Sequence, residues 1–255
     1  MIKKSFFPNR LALITTVSAC LVVSVSMGLR QIFGLFSDFF VEDLQCTITQ
    51  FGLAIGIQML MWGLCAPIFG ALADKIGGNK VTIISFLFMA LGIYLLYSGP
   101  NTGVFFQLNL GLLIGIGLGG TALSVQISET GKHFSNENRG LAVGIVVASA
   151  SIGYFFSPLY TKFALTNFGW EKTLQTFLYF IFFAMIAAIF ILPTREEKYK
   201  NHNFKNTQTI LHALKEALSH KGYIYLLFGF FVCGFNITLV SAHIPGYIQE
   251  RGFEI

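Results

Sequence analysis

Apolar residues run through this 255-residue chain in long blocks rather than in alternation. Seven blocks stand out, at roughly 11–37, 51–73, 80–98, 103–127, 140–163, 173–192 and 222–248. Each is about 20 residues or more, the length that carries an α-helix across a hydrocarbon core of ~30 Å. Strands of a membrane barrel would alternate with a period of two, and these blocks do not. The pattern predicts an all-α polytopic membrane protein. The first block follows Lys3, Lys4 and Arg10, as a signal peptide's apolar core would. It is too long for that, and no small-x-small cleavage site precedes its Phe-rich continuation, so it reads as the first spanning helix.

The only long polar stretch, "PTREEKYKNHNFKNTQTILHALKEALSHKG", separates the sixth block from the seventh. Its second half carries Ile210, Leu211, Leu214, Ala217 and Leu218 on one helical stripe, the pattern of a helix lying in a membrane interface or of a solvated linker. The expected organisation is a six-helix bundle over 1–193, a cytoplasmic linker with an amphipathic helix over 194–221, and a seventh spanning helix over 222–255.

A faint internal repeat runs across the bundle. The second block ends "APIFGALADKIGGNKV" and the fifth ends "SPLYTKFALTNFGWEKT". Pro67, Phe69, Gly77 and Lys80 in one answer to Pro158, Tyr160, Gly169 and Lys172 in the other. Three blocks apart by alternation, the two copies fall on opposite membrane sides, as a three-plus-three inverted repeat requires.

Charge then sets the orientation. The chain is 54% hydrophobic and only 11% charged, with net charge +5 and a mean hydropathy of +0.67. With the N-terminus inside, inner segments hold thirteen of the seventeen Lys and Arg residues; the others are Arg30, Lys162, Lys172 and Arg251. That asymmetry predicts a cytoplasmic N-terminus in the cell (inner) membrane. The basic balance thus reports orientation, and no nucleic-acid partner is expected. The four cysteines, Cys20, Cys46, Cys65 and Cys233, show no metal or disulfide spacing and read as buried thiols. No cofactor is expected.

The short inner loop "GALADKIGGNK" holds Gly70, Asp74, Lys75 and Gly77, a tight turn flanked by an acid and bases. It resembles the loop between helices 2 and 3 of the major facilitator superfamily, G-x-x-x-D-[RK]-x-G-[RK]-[RK], with Gly78 and Asn79 departing from its basic pair. Three further stretches, "GLRQIFGLFSDFFVEDL", "RGLAVGIVVASASIGYFFSPLY" and "AHIPGYIQERGF", are similar to the monocarboxylate and oxalate/formate transporter branch. The resemblance implies the six-helix N-terminal half of a major facilitator fold plus one further transmembrane helix. It also implies secondary transport of a small organic anion bearing a carboxylate, with the solute path between two such halves. A missing second half or a second copy is then an expected partner, beside the lipid bilayer. Gly111 stands about where an intramembrane arginine of helix 4 is common elsewhere in the superfamily.

Arg30 is the residue on which function turns. A guanidinium at membrane depth costs at least ~2.5–3.5 kcal/mol on insertion scales, so it faces a cavity or a partner. Three readings stand: a bidentate grip on a substrate carboxylate, snorkelling to the surface from a helix that has climbed about 29 Å since Leu11, or pairing with Asp38. Gln58 and Asn236, polar residues in apolar blocks, are further substrate-binding candidates. Asn109 and Gln126 are similar, and any of the four could instead bond between helices. The superfamily resemblance implies a cytoplasmic gate of Asp74, Lys75, Glu129 and Arg139. Trp62 reads as lipid-facing or packing. The glycine stripes Gly111, Gly115, Gly119 and Gly140, Gly144, Gly153 predict close helix contacts.

Other classes fare worse. No metalloprotease or hydrolase signature and no nucleotide loop occurs, so an enzyme is not expected. A seven-helix receptor or retinal protein matches the count, but no lysine lies within the seventh block to carry a Schiff base. A fragment or half-transporter that needs a partner remains the alternative to a working transporter.

Overall fold

The computed structural model describes residues 7–99, 103–191 and 210–250, and among them the regular structure is helical. It divides into two compact units, 1–194 and 195–255. Of the expected linker, residues 194–209 lie outside the described residues.

Among the described residues, the first unit holds nine α-helices. They are α1 (Arg10–Ile32), α2 (Ser37–Asp43), α3 (Ile48–Ile76), α4 (Gly78–Ser98), α5 (Val104–Phe106), α6 (Ile114–Gly120), α7 (Leu123–Gly131), α8 (Asn136–Phe168) and α9 (Trp170–Ile189). A 3₁₀ turn, Phe33–Phe36, joins α1 to α2, and a π-helical segment, Gln107–Leu113, joins α5 to α6. The second unit holds α10 (Ile210–Ser219) and α11 (Lys221–Glu250). Among the described residues, seven stretches are long and apolar enough to cross a membrane: Arg10–Asp43, α3, α4, Val104–Gly131, α8, α9 and Lys221–Val240. The first runs past the 11–37 expected from hydropathy, because Ser37, Asp38, Glu42 and Asp43 continue the helix beyond its apolar core.

Local chemistry explains the ends. Asn9 caps α1, its Oδ1 accepting from the amide of Ala12 at 2.7 Å; such a cap contributes about 1 kcal/mol. Thr47 and Gln50 form a reciprocal capping box at the start of α3, with bonds of 2.9 and 3.1 Å.

The internal repeat is visible in the backbone. A single glycine with positive φ, Gly77 at 98°, links α3 to α4, and a second, Gly169 at 79°, links α8 to α9. Each donates to the carbonyl four residues back, Ala73 and Leu165, and each carbonyl accepts from the amide four residues on, Val81 and Thr173. Both preceding helices contain the matching proline, Pro67 and Pro158. A side chain at either glycine would be forced into the left-handed region, which is why this turn recurs with glycine.

Packing follows from small residues, as it does where apolar burial gives no advantage over lipid. Gly111, Gly115 and Gly119 bring the fourth span onto α3, where an added Cβ would lie 2.6–2.9 Å from Ala54, Ile57, Gln58, Met61 or Cys65. On the other side of α6, Gly117 and Gly120 close on Ser85 and Met89 of α4. In α8 only Gly153 of the expected stripe makes such a contact, against Ser24 of α1; Gly140 and Gly144 face open space. Ser24 Oγ also donates to the Ser149 carbonyl at 2.7 Å, so α1 and α8 are locked side by side.

At the end of the bundle holding Asp43, Phe40 gathers Phe36, Phe51, Phe106 and Trp170 at centroid distances of 5.4–6.4 Å. The Trp170 indole N–H donates to Asp43 Oδ2, tying α9 to α2. All four cysteines are free, but the expectation of buried thiols holds only for Cys46, since Cys20 and Cys65 are half-buried on their helices and Cys233 is exposed. Burial pushes the Cys46 thiol up, against a smaller opposing effect of a backbone hydrogen bond. A neutral, 3% exposed thiol reacts poorly, because the thiolate is the nucleophile. Cys46 is therefore expected to resist a small maleimide at neutral pH in the folded protein and to label once the aromatic cluster is unfolded. Rapid labelling of Cys46 in the native state would contradict this packing.

Candidate functional site

Arg30 sits twenty residues from the start of its spanning segment, Arg10, and thirteen from its end, Asp43. It is 8% exposed. Its neighbours come from the middles of two other helices. Trp62 of α3 is fourteen residues from either end of that helix, and Tyr154 of α8 is eighteen and fourteen from its ends. A guanidinium buried against those two side chains is not extended along the helix surface as snorkelling would have it. The Asp38 reading falls too, since Asp38 bonds Ser37 on the exposed side of α2, and among the described residues no carboxylate lies within 4 Å of Arg30.

The guanidinium is held in a box of aromatic and sulfur groups. Its Cζ lies 4.9 Å from the Trp62 ring centroid and 5.7 Å from that of Tyr154, distances at which a cation is attracted to a π face. Nη1 points at Met59 Sδ at 3.6 Å, and Nη2 at the Tyr154 hydroxyl at 3.4 Å. The Tyr154 hydroxyl donates in turn to Met27 Sδ at 3.4 Å. Nε is buried with no hydrogen-bond partner. Met27 belongs to a buried cluster with Ala19, Val23, Val146 and Ala150, against which Trp62 and Tyr154 pack. A permanent positive charge is thus fixed at mid-span, with weak acceptors, two π faces and one unused N–H.

Gln58 lies one residue before Met59 and is fully buried, and neither of its amide atoms has a hydrogen-bond partner. Asn236 lies in the second unit and donates to the Val232 carbonyl of its own helix at 2.9 Å. The other two polar candidates do bond between helices. Gln126 donates to Thr82 Oγ1 at 2.9 Å, and Asn109 to the Leu95 carbonyl at 3.5 Å.

The basic end of the bundle carries a second cluster. Lys132 Nζ lies 2.9 Å from Glu129 Oε1 and 3.5 Å from Asp74 Oδ1. The Glu129 side chain is 5% exposed and Asp74 64%. Glu129 packs against Gly78 at the amino end of α4, where an added Cβ would meet its carboxylate carbon at 2.5 Å. An anion is stabilised at such an end. Asp74 and Glu129 are therefore brought together, by a lysine that the sequence reading did not select. Lys75 and Arg139 are exposed, with no carboxylate within 4 Å among the described residues. A groove of about 520 Å³ lies beside the cluster, lined by Ala66, Pro67, Gly70, Ser128, Asp74 and Glu129 among others.

Sequence reasoning missed Met27, Met59, Tyr154 and Lys132, and took Trp62 for a lipid-facing or packing group. One signal was present. Met27 and Arg30, and likewise Met59 and Trp62, are three residues apart on one helix face.

Comparisons with known proteins bear on this arrangement. A family model described as Major Facilitator Superfamily matches residues 19–255. The probable nitrate transporter NarT of Staphylococcus carnosus (strain TM300) is 24% identical over 212 residues, 82% of this chain and 51% of that protein. The protein of the same description from Staphylococcus aureus (strain JH9) is 28% identical over 214 residues, 84% of this chain and 52% of that protein. The chain spans about half the length of the curated relatives it matches.

Proposed function

We propose a function from one premise: this chain belongs to the major facilitator superfamily. The reading is secondary transport of a small, planar, singly charged oxyanion by alternating access, with Arg30 as the group that binds it. One observation carries it, the buried guanidinium with no carboxylate within 4 Å among the described residues. Such a charge is costly in a low-dielectric setting unless an anion completes it. Nitrate and small monocarboxylates both offer two oxygens at the spacing of a guanidinium fork. The relatives described as probable nitrate transporters favour the first, and the likeness of "GLRQIFGLFSDFFVEDL" to the monocarboxylate branch favours the second.

The rest of the proposal concerns context. The six-helix unit, a linker and the start of a second half form the organisation, in the cell membrane with the N-terminus cytoplasmic, on the strength of the basic asymmetry. Transport then needs a second six-helix half, from further sequence, another chain or a second copy. Gln58, with its unpartnered amide, and Asn236 are the further polar candidates for contact with the solute. Asp74, Glu129 and Lys132 would latch the cytoplasmic side, with Lys75 and Arg139 presented to the other half.

The chain has two tryptophans, Trp62 and Trp170. In a Trp170→Phe background, Trp62 alone reports on Arg30. Titration of that protein in lipid nanodiscs with nitrate or formate should give a saturable fluorescence change, and adding Arg30→Gln should abolish it. A saturable change that survives Arg30→Gln, or its absence in the parent, would overturn the reading.

A further inference from the structure

We propose that the Tyr154 hydroxyl is a third donor to the bound anion and sets how strongly basic oxyanions are preferred; this rests on Arg30 being the anion-binding group. The guanidinium presents Nε–H and one Nη2–H side by side, and this edge holds the one guanidinium nitrogen with no acceptor at all. Nε has no partner, and Nη2 reaches only the Tyr154 oxygen at 3.4 Å, longer than a good N–H···O bond of ~2.9 Å. Met59 occupies the Nη1 side, and Trp62 covers a face. An oxyanion therefore enters in the guanidinium plane, on the Nε–Nη2 edge. An oxygen accepting from Nη2 then lies next to the Tyr154 hydroxyl.

That hydroxyl is under-used. Its proton goes to Met27 Sδ at 3.4 Å, and a thioether is a weak acceptor. Any anionic oxygen is a better one. The exchange requires only rotation of the phenolic hydrogen, because the ring is packed against the Met27 cluster and need not move. Two oxygens would then receive three donors, Nε, Nη2 and the phenol. A phenol bonds a basic carboxylate more strongly than weakly basic nitrate, so the hydroxyl favours formate over nitrate relative to the guanidinium edge alone.

The test uses the Trp170→Phe protein in nanodiscs, titrated with sodium nitrate and sodium formate. Tyr154→Phe is expected to weaken formate binding about tenfold or more, the worth of one hydrogen bond to a charged acceptor, and nitrate binding by a smaller factor. Met27→Leu, which removes the hydroxyl's resting acceptor, should tighten both. Binding within twofold of the parent in Tyr154→Phe would overturn the proposal, as would unchanged or weaker binding in Met27→Leu should the phenylalanine variant fail to fold. A parent response that does not depend on Arg30 would instead sink the underlying function, so the two failures are told apart.

Discussion

Gly153→Val should leave almost no folded bundle, whereas Gly144→Ala, nine positions earlier in α8, should behave as the parent does. A Cβ at Gly153 would lie 2.1 Å from the Ser24 carbonyl oxygen and 3.0 Å from its Cα. Both are backbone atoms, so no rotamer change relieves the overlap, and α1 must move off α8. That movement breaks the 2.7 Å bond from Ser24 to Ser149 and opens the cluster of Met27, Val146 and Ala150. Overpacking typically costs 1–3 kcal/mol where neighbours can give; here they cannot, and a loss of more than about 3 kcal/mol is expected. Gly28→Ala meets a side chain, Ser157 Oγ at 2.0 Å, which can rotate aside, and so falls within the lower range. Gly144 has nothing within 4 Å of its added Cβ, and its alanine should stay within about 0.5 kcal/mol. Thermal unfolding followed by size-exclusion chromatography in detergent ranks the three, and a parent-like midpoint for Gly153→Val would disprove the close α1–α8 contact.

The same contact shows what could be read from the chain and what could not. Seven spans follow from hydropathy alone, because bilayer thickness sets a length that no folding detail alters. The Gly77 and Gly169 turns were also legible, since a conformation open mainly to glycine leaves a residue type behind at each copy. The stripe in α8 was not. Gly140, Gly144 and Gly153 look alike in sequence, and only the partner helix decides that Gly153 alone is in contact. Arg30 was conspicuous, because a charge inside an apolar block violates its surroundings. Its neighbours were not, because Met27, Met59, Trp62 and Tyr154 are residues that lipid or a helix interface would equally accept. Apolar periodicity is weak in a helix that is apolar all round, so which side faces inward is set by packing between distant segments.

Charge at the basic end gives the second large effect, and it falls on a residue outside the expected gate. Lys132→Met keeps the stem and removes the cation, leaving the Glu129 carboxylate, 5% exposed, without the ammonium that stood at 2.9 Å. Breaking a buried ion pair costs 3–5 kcal/mol. Lys132 itself is 22% exposed, so water screens part of that interaction, and a loss of about 2–3 kcal/mol is expected. Asp74→Asn removes a 3.5 Å contact from a side chain 64% exposed and should cost under about 1 kcal/mol. Lys75→Ala and Arg139→Ala, exposed and without a carboxylate within 4 Å among the described residues, should each change stability by less than about 0.5 kcal/mol. Adding Glu129→Gln to Lys132→Met should recover most of the loss, since the carboxylate that faced the ammonium is then neutral; the full cycle, with Glu129→Gln alone, isolates the pair from other effects of either change. Midpoints for the parent, these five variants and Glu129→Gln alone, in one detergent, decide the matter. If Lys132→Met is no worse than Asp74→Asn, or if Glu129→Gln fails to rescue it, Glu129 does not depend on Lys132 and the cluster is a set of independent charges.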